Sequence, residues 1–327
     1  MSTLPDPQAA PPRPARPDAS DRSIRGHRAM GDIVFAGIAR GAGILILVAL
    51  AAVFVFLLVK GAPGFTASGN SALGSFSSFW SLVGPLLWGT VLVAVLSLIV
   101  AVPFSIAIAL FIAFYAPRRL AAPVAYIIDL LAAVPSIVFG LWGGRELANA
   151  LKPVFSWLAD HVGWFPLFKG PFANTGQVGL TAVVVLAVMV LPIITAISRE
   201  VFVQTPRLTE EAAIGLGATR WEVIKLAVLP HAKSGIIAGV MLGLGRALGE
   251  TMAVVMVYSA SPVVTFNMVG NSSPQTIASY IANNFAEAST DRRAVLIAAG
   301  LILFGVTFIV NFAARWVITR GERKFAR

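Results

Sequence analysis

The sequence contains no cysteine, which excludes a disulfide framework, a thiolate nucleophile and a thiolate metal site. Histidine is almost as scarce: His27, His161 and His231 lie far apart and suggest no metal cluster. Charge is the third shortage. Only 12% of the 327 residues are charged against 57% apolar, too little polar surface to cover a water-soluble globule of this size. No Gly-x-x-x-x-Gly-Lys-Ser/Thr loop occurs, which excludes a P-loop nucleotide site in this chain. The formal charge of +10 would suggest a nucleic-acid partner if the basic residues formed a patch. They sit instead between long apolar runs, so no nucleic-acid partner is expected.

What the chain does have is apolar runs of the roughly 20 residues needed to cross a hydrocarbon core. The first is Gly41 to Val59, within a first transmembrane helix placed at 34–59 and followed by an outer loop to residue 84. The second, Pro85 to Pro117, has no charge and no polar turn, and reads as one long tilted or kinked helix containing Pro103. The third covers about Ala122 to Trp142 with Pro135 inside it, the fourth Gly176 to Ser198, the fifth Ser234 to Tyr258 and the sixth Ala294 to Ile318. The expected fold is an all-α polytopic membrane protein with six transmembrane helices, its core running from residue 85 to 320. Residues 1–33, rich in Pro, Asp and Arg, read as a disordered cytosolic tail rather than a cleavable signal, and 321–327 as a short C-terminal tail.

Six spans put both ends on one side. Eighteen basic residues fall in the tails and in the second-to-third and fourth-to-fifth connections, against six in the other connections. By the positive-inside rule both termini are expected in the cytoplasm. The outer connection from Gly143 to Thr175 carries Trp157, Trp164, Phe165 and Phe168, which suit an interfacial aromatic belt or a docking surface for an outer partner. The later outer connection holds Gln275 to Ala288, where Ile277, Ile281 and Phe285 recur at helical spacing.

The fourth-to-fifth connection reads as a capped helix, a glycine break and a second helix ending at Pro230. Thr209 is the expected cap, with Glu210 and Glu211 in the first turn. Gly217 permits the turn, and the second helix presents Trp221, Ile224 and Val228 on one side. The pattern alone fits either packing against the bundle or docking to a partner.

Inside the spans, Arg246 and Glu250 stand one helical turn apart, with Asp129 a second carboxylate in the third span. Charges at such depth face a cavity or a partner. One reading is an Arg246 to Glu250 ion pair that neutralises both. The other is an anion path, since a guanidinium fork matches phosphate oxygens. The local balance of one positive and two negative charges then calls for arginine from a second chain, or for a protonated carboxylate. Gly239, Gly243, Gly245 and Gly249 give a small-residue spacing that lets another helix approach.

The connection resembles the EAA loop of ABC importer permeases: Glu211, Ala212, Ala213, Gly217, Leu229 and Pro230 all fall at that motif's spacing, with Ala227 where isoleucine is usual. Three further stretches, Leu131 to Gly143, Gly245 to Val254 and Ile281 to Ala288, resemble the PstC permeases of phosphate importers. The resemblance implies a type I, MetI-like permease fold in a bacterial cell membrane. It implies that the loop at 206–230 couples to a cytosolic ATPase, and that Arg246 and Glu250 match the pair associated with phosphate passage. Asp129 stands where glutamate is usual. The implied partners are a PstA-type permease, a PstB-type ATPase dimer carrying ATP and Mg, a PstS-type phosphate-binding protein, inorganic phosphate and membrane lipid, with no cofactor in this chain and no enzymatic activity of its own. Two alternatives stay open: a related oxyanion importer permease or the PstA partner itself, and an ion-coupled secondary transporter using Asp129, Arg246 and Glu250 as a proton relay.

Overall fold

The computed structural model describes residues 30–325, with side chains described except at 30, 32, 70, 118 and 317–325. The tail expected over 1–33 therefore lies outside the described residues up to 29, and residues 30–33 already belong to helix α1, Met30–Phe65. Contacts divide the chain into two units, Met1–Ala52 and Val53–Arg327. In the first, the described residues are the opening stretch of α1. The second holds every other element named below.

Five helices are long and apolar enough to cross a membrane, and a sixth crossing is available if one bent pair counts as a span. After α1 comes a single turn, α2 (Asn70–Leu73), in place of the open loop expected up to residue 84. Helix α3 (Phe79–Leu110) starts earlier than the apolar run because Ser78 and Ser81 cap it reciprocally. It continues through a π turn, Phe111–Tyr115, as the one long helix expected.

The third span is where the structure departs most from the sequence reading. Helix α4 (Arg118–Ala133) stops at Val134, whose backbone is extended, and α5 (Ser136–Trp142) restarts after Pro135. A residue before proline is pushed out of the α region, and proline lacks the N–H that would continue the ladder. Through the π turn Gly143–Leu147 the chain runs on into α6 (Ala148–His161), and the two halves meet at 94°.

Helix α7 (Gly179–Val203) is the centre of the second unit, packed by α3 and α4. An 18-residue stretch of it is 61% buried, against 28% for α3. Val93 and Ala94 of α3 meet Val185, Leu186, Met189 and Val190 of α7 in the largest core. Helices α8 (Arg207–Gly215) and α9 (Arg220–Val223) follow, and a π turn, Ile224–Val228, joins α9 to α10 (Leu229–Gly249). Helix α10 lies on α7 along Gly235, Gly239 and Gly243, where a Cβ would meet Val201, Ile197 and Ile194. Gly245 and Gly249 meet nothing, so the close-approach stripe is one turn nearer the start of the helix than the sequence spacing suggested.

The fifth span is broken as well. Helix α10 ends at Gly249, Glu250 is extended, and α11 (Met252–Val257) restarts beyond it. The restarted halves of the two broken spans pack on each other: Gly140 of α5 is so close to α11 that a Cβ would lie 2.9 Å from Ala253 Cα. Beyond α11 the chain turns back into the bundle. Thr90 Oγ1 accepts the Ile277 N–H at 2.9 Å, the Trp88 indole donates to the Thr265 carbonyl at 2.9 Å, and Ser273 to Tyr280 are buried. Helix α12 (Ile277–Asn284), capped by Thr276, is shorter than the amphipathic stretch expected, leaving Phe285 at its C-cap under the Arg293 guanidinium. Helix α13 (Thr290–Phe325) completes the fold and runs through most of the segment read as a C-terminal tail.

Candidate functional site

The helix–turn–helix expected from the sequence is present, with different ends. Helix α8 begins at Arg207 after Pro206, so Thr209 lies inside its first turn and caps nothing. Its C-terminus closes as a Schellman motif: Ala218 N–H donates to the Ala213 carbonyl at 3.1 Å and Gly217 N–H to Ile214 at 2.9 Å. Gly217 carries φ +85°, the left-handed conformation this closure needs.

The cap that the sequence reading missed is Thr219. Its N–H donates to Glu222 Oε2 at 2.7 Å, its hydroxyl to the same oxygen at 2.8 Å, and it accepts the Glu222 N–H. The Thr-x-x-Glu spacing was the available signal. The second helix does not end at Pro230. The π turn Ile224–Val228 precedes it and Leu229 N–H reaches back to Ile224, so the helix passes the residue that lacks a donor and becomes α10.

One face of this motif is buried. Ile224, Val228 and Ala232 pack with Phe202 and with Ala109 and Leu110 of α3. Trp221 does not share that face: it is exposed, with Leu208, Ile214 and Leu226, and Leu216 is 91% exposed. Glu211 and Ala212 are exposed and Ala213 half-buried, while Leu229 is half-buried and Pro230 exposed. Apolar side chains held outward on two short, capped helices form a surface suited to a partner.

The intramembrane charges are not arranged as one helical face. Glu250 sits at the break, 9% exposed, and its Oε1 accepts the Ala253 N–H at 3.2 Å at the start of α11. Arg246 is exposed and lines a pocket between α10 and α13, with no carboxylate in its lining. Asp129 is exposed on α4 and does not line that pocket. Among the described residues no ion pair joins any two of the three, so the mutual neutralisation of Arg246 and Glu250 is replaced by a buried capping carboxylate and a free guanidinium. The sequence reading placed them together because it assumed an unbroken fifth span.

A membrane chain with a capped helix–turn–helix inserted before its fifth apolar helix defines a class. The model of the binding-protein-dependent transport system inner membrane component family matches residues 105–322, and the chain belongs to that family. Within it the chain belongs with the PstC permeases. It is 43% identical over 297 residues to the phosphate transport system permease protein PstC 2 of Mycobacterium tuberculosis, covering 87% of this chain and 91% of that one. To the PstC of Xylella fastidiosa strain 9a5c it is 39% identical over 314 residues, with 93% and 94% covered. Solved structures agree on the fold. A bacterial ABC transporter that imports the acidic polysaccharide alginate aligns at TM-score 0.58 and 16% identity, over 88% of this chain and 96% of that one. The inward-facing MetNI methionine ABC transporter aligns at 0.53 and 16%, over 74% and 96%.

Proposed function

We infer that this chain is the permease subunit of an ATP-driven phosphate importer, passing inorganic phosphate from an extracytoplasmic binding protein into the cytoplasm. The observation that carries this is the 43% identity with a phosphate transport permease over most of both chains. The basic residues favour both termini in the cytoplasm, which puts the helix–turn–helix on the same side. There its outward Leu216, Trp221 and Leu226 are the docking crest for a separate PstB-type ATPase dimer, which binds ATP and Mg. Glu211, Ala212, Ala213 and Gly217 form the contact, and the π turn Ile224–Val228 runs directly into Leu229 and Pro230, the first residues of α10. A PstA-type permease and a PstS-type binding protein complete the assembly. Arg246 is the group that meets phosphate, Glu250 holds the break beside it, and Asp129 is exposed toward a neighbouring chain or lipid.

Uptake of labelled phosphate in a strain lacking only this chain tests the reading. Complementation should restore uptake that resists competition by sulfate and molybdate and stops when the ATPase is inactivated. Uptake that persists without ATP hydrolysis defeats it. Arg246→Gln should lower uptake roughly tenfold at an unchanged level of assembled complex, and a normal rate would remove Arg246 from the path.

A further inference from the structure

The pocket that Arg246 lines, about 660 Å³, contains a second guanidinium. Arg315, from α13, shares it with Asn311 one helical turn away, and the remaining wall includes Ile193, Met241 and Leu242. Neither arginine has a hydrogen bond or ion pair among the described residues, and no carboxylate is in the lining. Two like charges in a shared apolar-walled space repel each other, and an anion between them reverses the sign of that interaction. Asn311 adds an amide that donates to the same oxygens. The pocket also answers the charge balance, which summed to one positive and two negative groups along the sequence. Glu250 is buried against Ala253 and Asp129 lies elsewhere, so the space itself carries two positive charges from this chain alone.

We propose that Arg246, Asn311 and Arg315 form one binding site for phosphoryl oxygens between α10 and α13. Arg315 lies near the end of the sixth apolar run, five residues before Arg320, so on the orientation proposed above the site lies in the cytoplasmic half of the path. The proposal rests on the phosphate-import reading for one of its two possible ligands, a phosphate ion leaving the translocation path. The other is the phosphate of an anionic lipid headgroup in the inner leaflet, which needs no import activity.

The test uses the complete transporter in membranes, with Arg315→Gln, Arg315→Lys and Asn311→Leu. If the ligand is the transported ion, Arg315→Gln lowers maximal uptake of labelled phosphate roughly tenfold. Its half-saturating external concentration and the amount of assembled complex stay unchanged, because capture precedes the site, and Arg315→Lys recovers part of the rate. If the ligand is lipid, uptake is unaffected and native mass spectrometry of the purified complex shows phosphatidylglycerol retained by wild type and lost from Arg315→Gln and Asn311→Leu. Wild-type maximal uptake together with wild-type lipid retention in both variants overturns the site. A wild-type complex that imports no phosphate overturns the import reading instead and leaves the lipid arm to decide the site.

Discussion

At Gly217 the backbone φ is +85° and nothing lies within 4 Å of where a Cβ would stand, so the constraint is conformational and not steric. Asparagine tolerates this conformation and valine does not, the left-handed region costing a branched residue about 1–2 kcal/mol. Gly217→Asn should therefore keep ATPase stimulation by the loaded binding protein, while Gly217→Val should uncouple it, as read by ATP hydrolysis in proteoliposomes. At Gly89 the constraint is the reverse. Its φ is ordinary, yet a Cβ would stand 2.2 Å from the Gln275 carbonyl oxygen, and backbone cannot rotate away. Gly89→Ala should cost roughly 1–3 kcal/mol or more by overpacking, seen as a lower melting temperature of the purified complex. Glu250 gives a third case. Glu250→Gln retains an oxygen for the Ala253 N–H and should leave the melting temperature within a few degrees, whereas Glu250→Leu leaves that buried donor unpaired, at about 1–3 kcal/mol.

Among the elements, α9 is only four residues long, and its start depends on the Thr219 to Glu222 capping box. Thr219→Ala should cost about 1 kcal/mol locally, and amide exchange at residues 220–223 should accelerate while α7 keeps its protection. Helices such as α3 and α7 were legible because an uncharged run of more than 20 residues declares itself whatever surrounds it. The breaks at Val134 and Glu250 were not, because the composition is equally apolar on both sides of each. Proline does not mark them unaided either: Pro103 and Pro192 lie inside unbroken helices, whereas Pro135 follows a break. The helix–turn–helix itself was readable from the glycine break at Gly217 and the helical spacing on either side of it. The convergence of Arg246 with Arg315 was not, since it depends on how α13 lies against α10, which no local pattern encodes.

On the scale of the molecule, apolar surface is left uncovered. Among the apolar spans of the described residues only α7 is mostly enclosed, whereas the comparable stretches of α3 and α13 are 28% and 22% buried within the chain. Lipid covers part of this surface, and the proposed second permease covers part. Expressed without that partner, the chain should be present at several-fold lower steady-state level than in the co-expressed pair, as an immunoblot of membrane fractions would show; an equal level would mean that the chain is stable alone in lipid.

Helix α3 with its π turn spans 37 residues, about 55 Å at 1.5 Å per residue. Near its start, Trp88, Gly89 and Thr90 are tied to the segment around Thr265 to Ile277 by two hydrogen bonds and one backbone contact. Near its end, Ala109, Leu110 and Phe114 are wedged among Phe202, Ile224 and Val228, beneath the helix–turn–helix. The helix is thus a strut gripped at both tips. A push of an ångström against the helix–turn–helix would be carried along it as thrust toward the far loop, with the give confined to the π turn at Phe111–Tyr115 and to Pro85 and Pro103, where the hydrogen-bond ladder is interrupted.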